Sequence, residues 1–168
     1  AKLSLEALQQ EGAKVGIQPQ REWVFKAKYE KESWENLKLK EVFTQYREEK
    51  MSQGHLIGIL NDEMDESDIL VAAAGTIPAD LTKLFDVSGG KQLHLEFGNS
   101  CMGYDIPAAI GVRLTELYND VYVLMGDGNY QMHPMELVTA IQERAKITIL
   151  LNVNFGYQSI HGHQKALV

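Results

Sequence analysis

Two short apolar runs, each followed by polar residues, constrain this 168-residue chain more than any other feature. The first run, residues 121–125, leads into Gly126-Asp127-Gly128-Asn129, and the second, residues 147–151, is followed by Asn154 and Gly156. The stretch between them has the length and periodicity of a helix, so the predicted order is strand, turn, helix, strand. Since two parallel strands joined in this way end at the same edge of a sheet, we expect the polar side chains after them to converge.

The residues expected at this edge suit a phosphate-binding metal site. The carboxylate of Asp127, the amide oxygen of Asn154 and a backbone carbonyl are ligands that a hard cation such as Mg²⁺ prefers, and the cation in turn holds phosphates. The glycines of the first turn let the backbone approach a diphosphate, and the following helix offers free N–H groups to it. Gly-Asp-Gly is also an ordinary turn sequence, so the prediction depends on the two strands around it.

Composition excludes several classes of protein. Hydrophobic residues make up 45% and charged residues 23% of the chain, as in ordinary globular domains. The net charge of −7 argues against nucleic acid or an anionic membrane as the main partner. No apolar run reaches the ~18 residues of a membrane span. A single cysteine, Cys101, allows no internal disulfide and favours a reducing compartment, so we expect a cytoplasmic protein.

The pattern of elements predicts an α/β fold, with a mainly parallel sheet flanked by helices. Residues 1–50 are interpreted as a helical linker from a preceding domain, and residues 51–168 as a partial domain truncated at its C-terminus. Because the chain starts at Ala1 and ends soon after the expected metal loop, we expect it to be part of a longer enzyme. The expected strands are 69–74, 92–96, 121–125 and 146–152, and the expected helices are 52–64, 79–85, about 103–118 and 134–144.

A second motif, Phe97 to Gly111, contains Ser-Cys-Met-Gly-Tyr-Asp at 100–105 and follows the second predicted strand. Together with the Gly-Asp-Gly turn and the later Asn, it resembles the diphosphate-binding domain of thiamine-diphosphate (ThDP) enzymes. Within them the chain is similar to the cyclic 1,2-dione hydrolases of inositol catabolism, with supporting matches at 74–81 and 136–142. The resemblance covers about residues 50–168 and departs from that group at 152–158, where Asp-Asn-Ser-Gly-Phe-Gly is usual.

The resemblance implies ThDP and Mg²⁺ as cofactors. Met102 would support the bent cofactor, and the backbone carbonyl of Ser100, where related families usually have glycine, would accept a hydrogen bond from its aminopyrimidine. Gly128 and Asn129 would donate backbone N–H groups to the diphosphate. The expected metal ligands are Asp127, Asn154 and the carbonyl of Gly156, and the expected cofactor-binding residues are Ser100, Met102, Gly126, Gly128, Asn129 and Gly156.

The resemblance also implies a hydrolase that breaks a carbon–carbon bond of a cyclic dione, in a homodimer or homotetramer. The glutamate that activates the cofactor is expected in a pyrimidine-binding domain of the same or a neighbouring subunit, so the chain by itself is expected to be inactive. The alternatives are a ThDP-dependent decarboxylase, an acetolactate-synthase-like carboligase, or a non-catalytic binding or assembly module. His161 and His163 follow the expected metal loop and are either substrate-facing or surface residues.

Overall fold

The structure is a computed structural model that describes residues 2–18, 20–44, 50–96 and 98–167, with residues 37 and 38 described by their backbone alone. Phe97 of the second motif and Val168 therefore lie outside the described residues. The helices and strands, in chain order, are α1 (Lys2–Lys14), α2 (Arg21–Ser33), a π-helical turn (Trp34–Lys38), α3 (Leu39–Phe43), α4 (Gln53–Glu63), β1 (Ile69–Ala72), α5 (Thr76–Leu84), a 3₁₀ turn (Ser88–Gly90), β2 (Gln92–Leu95), α6 (Asp105–Thr115), β3 (Val121–Gly126), α7 (Asp127–Tyr130), α8 (Glu136–Gln142), β4 (Thr148–Asn152) and α9 (Gln158–Leu167).

By their internal contacts, residues 1–42 and residues 43–168 form two compact units. The first unit is helical, as the sequence predicts, and neither α1 nor α2 buries a residue. Its Trp23 and Phe25 are largely exposed. The predicted division of the chain after residue 50, which concerns the domains of a longer enzyme, stays a prediction.

The second unit is built on a four-stranded sheet in which every strand is parallel to its neighbours, in the order β2-β1-β3-β4. The predicted α/β class is therefore confirmed, and each strand lies within two residues of its predicted bounds. All four residues of β1 are buried, as expected of an apolar strand with helices on both faces of the sheet. One core cluster is formed mainly by β1, β3 and the inner face of α6, where Ile106, Ala109 and Ile110 pack against the sheet. Residues of α4 and α5, among them Ile57 and Leu81, are also completely buried.

The strand order places a topological switch point between β1 and β3. From β1 the chain proceeds to β2 on one side, whereas from β3 it proceeds to β4 on the other side. The loops that leave the carboxyl ends of these neighbouring strands therefore separate and open a crevice between them. Ligands of open α/β sheets bind in such crevices.

Three local predictions were wrong. The helix α5 begins at Thr76 rather than at residue 79 and includes Pro78, because proline is tolerated in a first helical turn where its missing N–H needs no partner. The helix α6 begins at Asp105 because Gly103, with a φ of 89°, has a backbone conformation outside the helical region. The segment after β3 forms the short helix α7, closed by a hydrogen bond from Gln131 N–H to the carbonyl of Asp127, instead of a simple turn.

The structure also bears on membrane association. In the part of the chain that the structure describes, no helix combines the length and apolar character needed to cross a membrane.

Candidate functional site

A cavity opens at the carboxyl edge of the sheet, over the switch point. Its walls come from four segments, within residues 74–77, 100–102, 126–129 and 154–160. About 650 Å³ of space lies within and in front of it, part of which is open solvent. The predicted site residues that line it are Ser100, Met102, Gly126, Gly128, Asn129, Asn154 and Gly156. The structure therefore brings together two motifs that are far apart in the sequence.

The remaining predicted residue, Asp127, meets Asn154 at the floor of this cavity. One terminal atom of the Asn154 amide lies 3.0 Å from Oδ1 of Asp127 and 2.7 Å from the carbonyl oxygen of Gly156. If this atom is the amide nitrogen, it donates a hydrogen bond to each of the two oxygens. If it is the amide oxygen, it forms with them a group of three converging oxygens. The two arrangements differ only by half a turn of the amide.

The loop that carries these atoms has an unusual backbone. Phe155 has a φ of 63° and Gly156 a φ of 132°, so two consecutive residues adopt conformations with positive φ. For Phe155 this costs roughly 1–2 kcal/mol relative to an ordinary backbone conformation. Strained backbone of this kind concentrates at functional sites, where it directs a carbonyl or side chain that a relaxed loop would not.

The turn after β3 is packed tightly against the far wall of the cavity. A Cβ atom at Gly128 would lie 2.7 Å from Cε1 of Tyr157 and 3.6 Å from Cε of Met102. Only glycine therefore fits between these two side chains without displacing the aromatic ring. The Gly128 N–H, expected to be free for a diphosphate, donates to Oδ1 of Asp127 at 3.0 Å in this structure.

The loop with Ser100 and Met102 is held by a residue that the sequence analysis did not single out. The carboxylate of Glu96 accepts hydrogen bonds from the backbone N–H groups of Cys101, at 2.6 Å, and Asn99, at 2.9 Å. These bonds, that of Cys101 first, lower the pKa of Glu96. Ser100 between them has a φ of 53°, a conformation that favours glycine.

Asn129 forms the inner end of the turn and is nearly completely buried. Its Nδ2 donates to the carbonyl of Ala74 at 3.1 Å. The preceding residue, Ala73, donates its N–H to Oδ1 of Asp105 at 2.8 Å. The end of β1 is therefore bonded to the turn on one side and to the start of α6 on the other.

Other polar candidates lie away from these oxygens. His161 and His163 belong to α9, are exposed and do not line the cavity. Cys101 is exposed and takes part through its backbone N–H. Within residues 2–18, 20–44, 50–96 and 98–167, no group of three or more His, Cys, Asp or Glu side chains could hold a metal. A cation at this edge would therefore depend on amide and carbonyl oxygens beside one carboxylate.

Sequence reasoning missed Glu96, Asp105 and Tyr157. Glu96 directly precedes the second motif and Asp105 lies within it, and an acidic residue beside glycines was the available signal for both. Tyr157 follows the expected metal loop directly, but its position over Gly128 depends on how α9 folds back.

Comparisons with known proteins agree with this geometry. The family described as "Thiamine pyrophosphate enzyme, C-terminal TPP binding domain" matches residues 73–167. Thiamine pyrophosphate (TPP) is another name for ThDP. The matched range contains the four segments that form the cavity and the sheet edge from which they arise.

Several curated relatives carry one name. The 3D-(3,5/4)-trihydroxycyclohexane-1,2-dione hydrolases of Bacillus cereus (strain AH820) and Bacillus thuringiensis (strain Al Hakam) are each 42% identical to this chain over 115 residues. The enzyme of the same name from Clostridium perfringens (strain 13 / Type A) is 40% identical over 114 residues. These matches cover 68% of this chain but 18% of each relative, so the chain spans less than a fifth of their length. With its parallel sheet, its carboxyl-edge cavity and the family match over residues 73–167, the chain belongs to the thiamine pyrophosphate enzymes and carries their C-terminal TPP-binding domain.

Proposed function

We propose that this chain is the diphosphate- and Mg²⁺-binding part of a ThDP-dependent enzyme that hydrolyses a carbon–carbon bond of a cyclic 1,2-dione. The observation that carries the proposal is the convergence of Asp127, Asn154 and Gly156 beside the cavity that Ser100 and Met102 line. The substrate class comes from the printed names of the relatives at 40–42% identity.

The spacing of the oxygens supports Mg²⁺ as the cation. In an octahedral site with metal–oxygen distances of about 2.1 Å, neighbouring oxygens are about 2.9–3.0 Å apart. The Asn154 amide atom lies 3.0 Å from Oδ1 of Asp127 and 2.7 Å from the Gly156 carbonyl. With the amide oxygen in that position, these three groups would form three ligands of an octahedron. Diphosphate oxygens and water would complete the set.

When bound, ThDP supplies the chemistry that breaks a carbon–carbon bond next to a carbonyl group. The residues of this chain bind and orient it. Asp127 and Asn154 would hold the metal, the turn at 126–129 would receive the diphosphate, and Met102 would support the middle of the cofactor. The Ser100 carbonyl, whose loop Glu96 fixes, would accept a hydrogen bond from the aminopyrimidine.

Two alternatives remain open as proposals. A ThDP-dependent decarboxylase or acetolactate-type carboligase would use the same metal and pyrimidine groups, so the names of the relatives are what favours the hydrolase. A non-catalytic binding or assembly module would keep the fold without turnover. The names of the relatives also favour an enzyme over a module.

Cofactor binding is tested first. The full-length protein that we propose contains this chain, called the intact protein below, is titrated with ThDP in the presence of Mg²⁺. Binding is followed by the heat released or by circular dichroism. Asp127→Ala should abolish Mg²⁺-dependent binding because it removes the single carboxylate among the proposed ligands. Asp120→Ala is the matched control, since Asp120 is an exposed carboxylate at the opposite edge of the sheet, paired with Lys146. Equal ThDP affinity in the two variants would overturn the proposed metal site.

The reaction is tested by incubating the intact protein, with Mg²⁺ and ThDP, with trihydroxycyclohexane-1,2-dione and separately with pyruvate, and following both by NMR. Ring opening of the dione with pyruvate untouched supports the hydrolase. Consumption of pyruvate with the dione unchanged would move the protein to the decarboxylases or carboligases. Binding without turnover of either substrate would favour the module.

The partners also stay predictions. We propose that the activating glutamate belongs to a pyrimidine-binding domain of the same or a neighbouring subunit, in a cytoplasmic homodimer or homotetramer. The chain by itself would then bind at most the diphosphate end of ThDP. Turnover of the dione by the purified 168-residue chain would contradict this.

A further inference from the structure

Asp105 is a buried carboxylic acid that the proposed function does not use. Its side chain is completely buried, at 0% exposure, and its Oδ1 accepts the Ala73 N–H at 2.8 Å. Its Oδ2 has no hydrogen-bond partner among the described residues. A buried oxygen without a partner is costly and rare in folded proteins, so its presence calls for a role beyond packing.

Asp105 is bonded to backbone next to the wall of the cavity. Its partner Ala73 directly follows β1, and the next residue, Ala74, lines the cavity. The Ala74 carbonyl accepts from Nδ2 of Asn129 at 3.1 Å, and the Asn129 side chain also lowers the pKa of Asp105. Asp105, at the start of α6, thereby holds the stretch of backbone to which the turn after β3 is bonded.

We propose that Asp105 is a positioning residue of the cofactor site: it holds the Ala73–Ala74 backbone at the end of β1, to which Asn129 fixes the diphosphate-binding turn. This inference rests on the proposed function, because it assigns a role to the turn that would receive the diphosphate. Asp105 itself does not line the cavity.

The ionised form of Asp105 is the one that holds the turn most firmly. A carboxylate accepts stronger hydrogen bonds than a neutral acid, and the neighbours of Oδ1 are donors. Burial raises the pKa of Asp105 to about 6, against the opposing effect of the N–H groups of Asp105 and Ala73 and the Asn129 side chain. No charged side chain of the described residues contributes to this shift. The hold on the turn should therefore weaken as the pH falls through about 6.

The test compares the affinity of the intact protein for ThDP at saturating Mg²⁺ with that of Asp105→Asn, from pH 5 to pH 8. Asparagine keeps the shape and one oxygen but cannot ionise. At pH 7.5 we expect Asp105→Asn to bind ThDP about tenfold more weakly, as the loss of one charge-assisted hydrogen bond would give. At pH 5 the ratio of the two dissociation constants should approach one, because the wild-type carboxyl is then neutral as well. The ionisation of ThDP itself cancels in this ratio.

Asp68→Asn is the matched control. Asp68 is another nearly buried carboxylic acid, but it precedes β1 at the opposite edge of the sheet, where its Oδ2 accepts the Asp65 N–H at 2.9 Å. This variant should leave the dissociation constant within about twofold of wild type, since ligands bind at the carboxyl edge. Near-UV circular dichroism establishes that each variant is folded.

Three outcomes decide the inference. A ratio that falls from about ten to one between pH 7.5 and pH 5 supports it. A ratio of one at every pH, or a constant loss at every pH, overturns it, because a purely structural defect would not follow the ionisation of one group. If the wild-type protein does not bind ThDP with Mg²⁺, both the proposed function and the inference fail. If the wild-type protein binds ThDP and Asp105→Asn binds it equally well, only the inference is refuted.

Discussion

The buried carboxyl of Asp105 predicts an unusual dependence of stability on pH. Its pKa is raised from 3.8 to about 6 in the folded protein, chiefly by burial. The folded state therefore holds a proton more tightly than the unfolded chain between these two values. The contribution of Asp105 to stability is greatest below its pKa in the unfolded chain. This contribution falls as the pH rises to about 6, because ionising the carboxyl costs more in the folded state than in the unfolded chain.

The magnitude follows from the shift. At 1.36 kcal/mol per pKa unit, a rise from 3.8 to about 6 corresponds to about 3 kcal/mol of lost stability above pH 7. This is a large part of the total for a small domain. Asp105→Asn removes the ionisation, so its free energy of unfolding should exceed that of wild type by up to about 3 kcal/mol at pH 7.5. Near pH 4 the two proteins should differ little.

The assay is urea denaturation at pH 4, 5, 6 and 7.5, followed by far-ultraviolet circular dichroism. Tryptophan fluorescence is unsuitable, because both Trp23 and Trp34 belong to the unit of residues 1–42 and not to the unit that contains Asp105. All other ionisable groups are shared by the two proteins and cancel in the difference. A difference between Asp105→Asn and wild type that does not change with pH would refute the reasoning. Together with weaker ThDP binding, a more stable variant would show stability given up for function.

Further predictions concern single contacts. Gly128→Ala should weaken ThDP binding at least tenfold, because the new Cβ would lie 2.7 Å from the Tyr157 ring. The double variant Gly128→Ala/Tyr157→Ala should recover part of this loss in the same titration, and no recovery would contradict the steric explanation. Ser100→Gly should raise the free energy of unfolding in urea by about 0.5–1 kcal/mol, since glycine tolerates a φ of 53°; a loss of stability would mean that the serine side chain matters more than the strain. Ser52→Ala should lower the free energy of unfolding by about 1 kcal/mol, because Oγ of Ser52 accepts the His55 N–H at 3.1 Å at the start of α4. An unchanged free energy of unfolding would show that this cap is dispensable.

Local patterns were sufficient for the elements of the second unit. A continuously apolar run such as 69–74 is typical of a strand covered on both faces, and Ser52 has the residue type of a helix cap, so β1 and the start of α4 were predicted closely. Boundaries were less well predicted where two signals compete. Pro78 indicates a turn, yet it lies inside the first turn of α5, because the position of proline within a helix decides whether it is tolerated.

The residues of the candidate site could be proposed from the sequence, but the residues that hold its loops in place could not. The Gly-Asp-Gly turn and Asn154 could be paired because parallel strands end at one edge. The signal for Glu96 and Asp105 was weak, since acidic residues are most often exposed. Their roles became visible only when the Cys101 and Ala73 N–H groups were found bonded to them.

The sequence by itself determined the α/β class, the four strands and the polar residue types that follow them, because each is encoded in a short stretch by periodicity and residue chemistry. The tertiary structure decided the strand order β2-β1-β3-β4 and, with it, which loops meet. Contacts such as Asn129 with Ala74 and Asp105 with Ala73 join residues far apart in the chain. Their energy depends on burial and on the donors that folding brings near, and neither quantity exists until the sheet has formed.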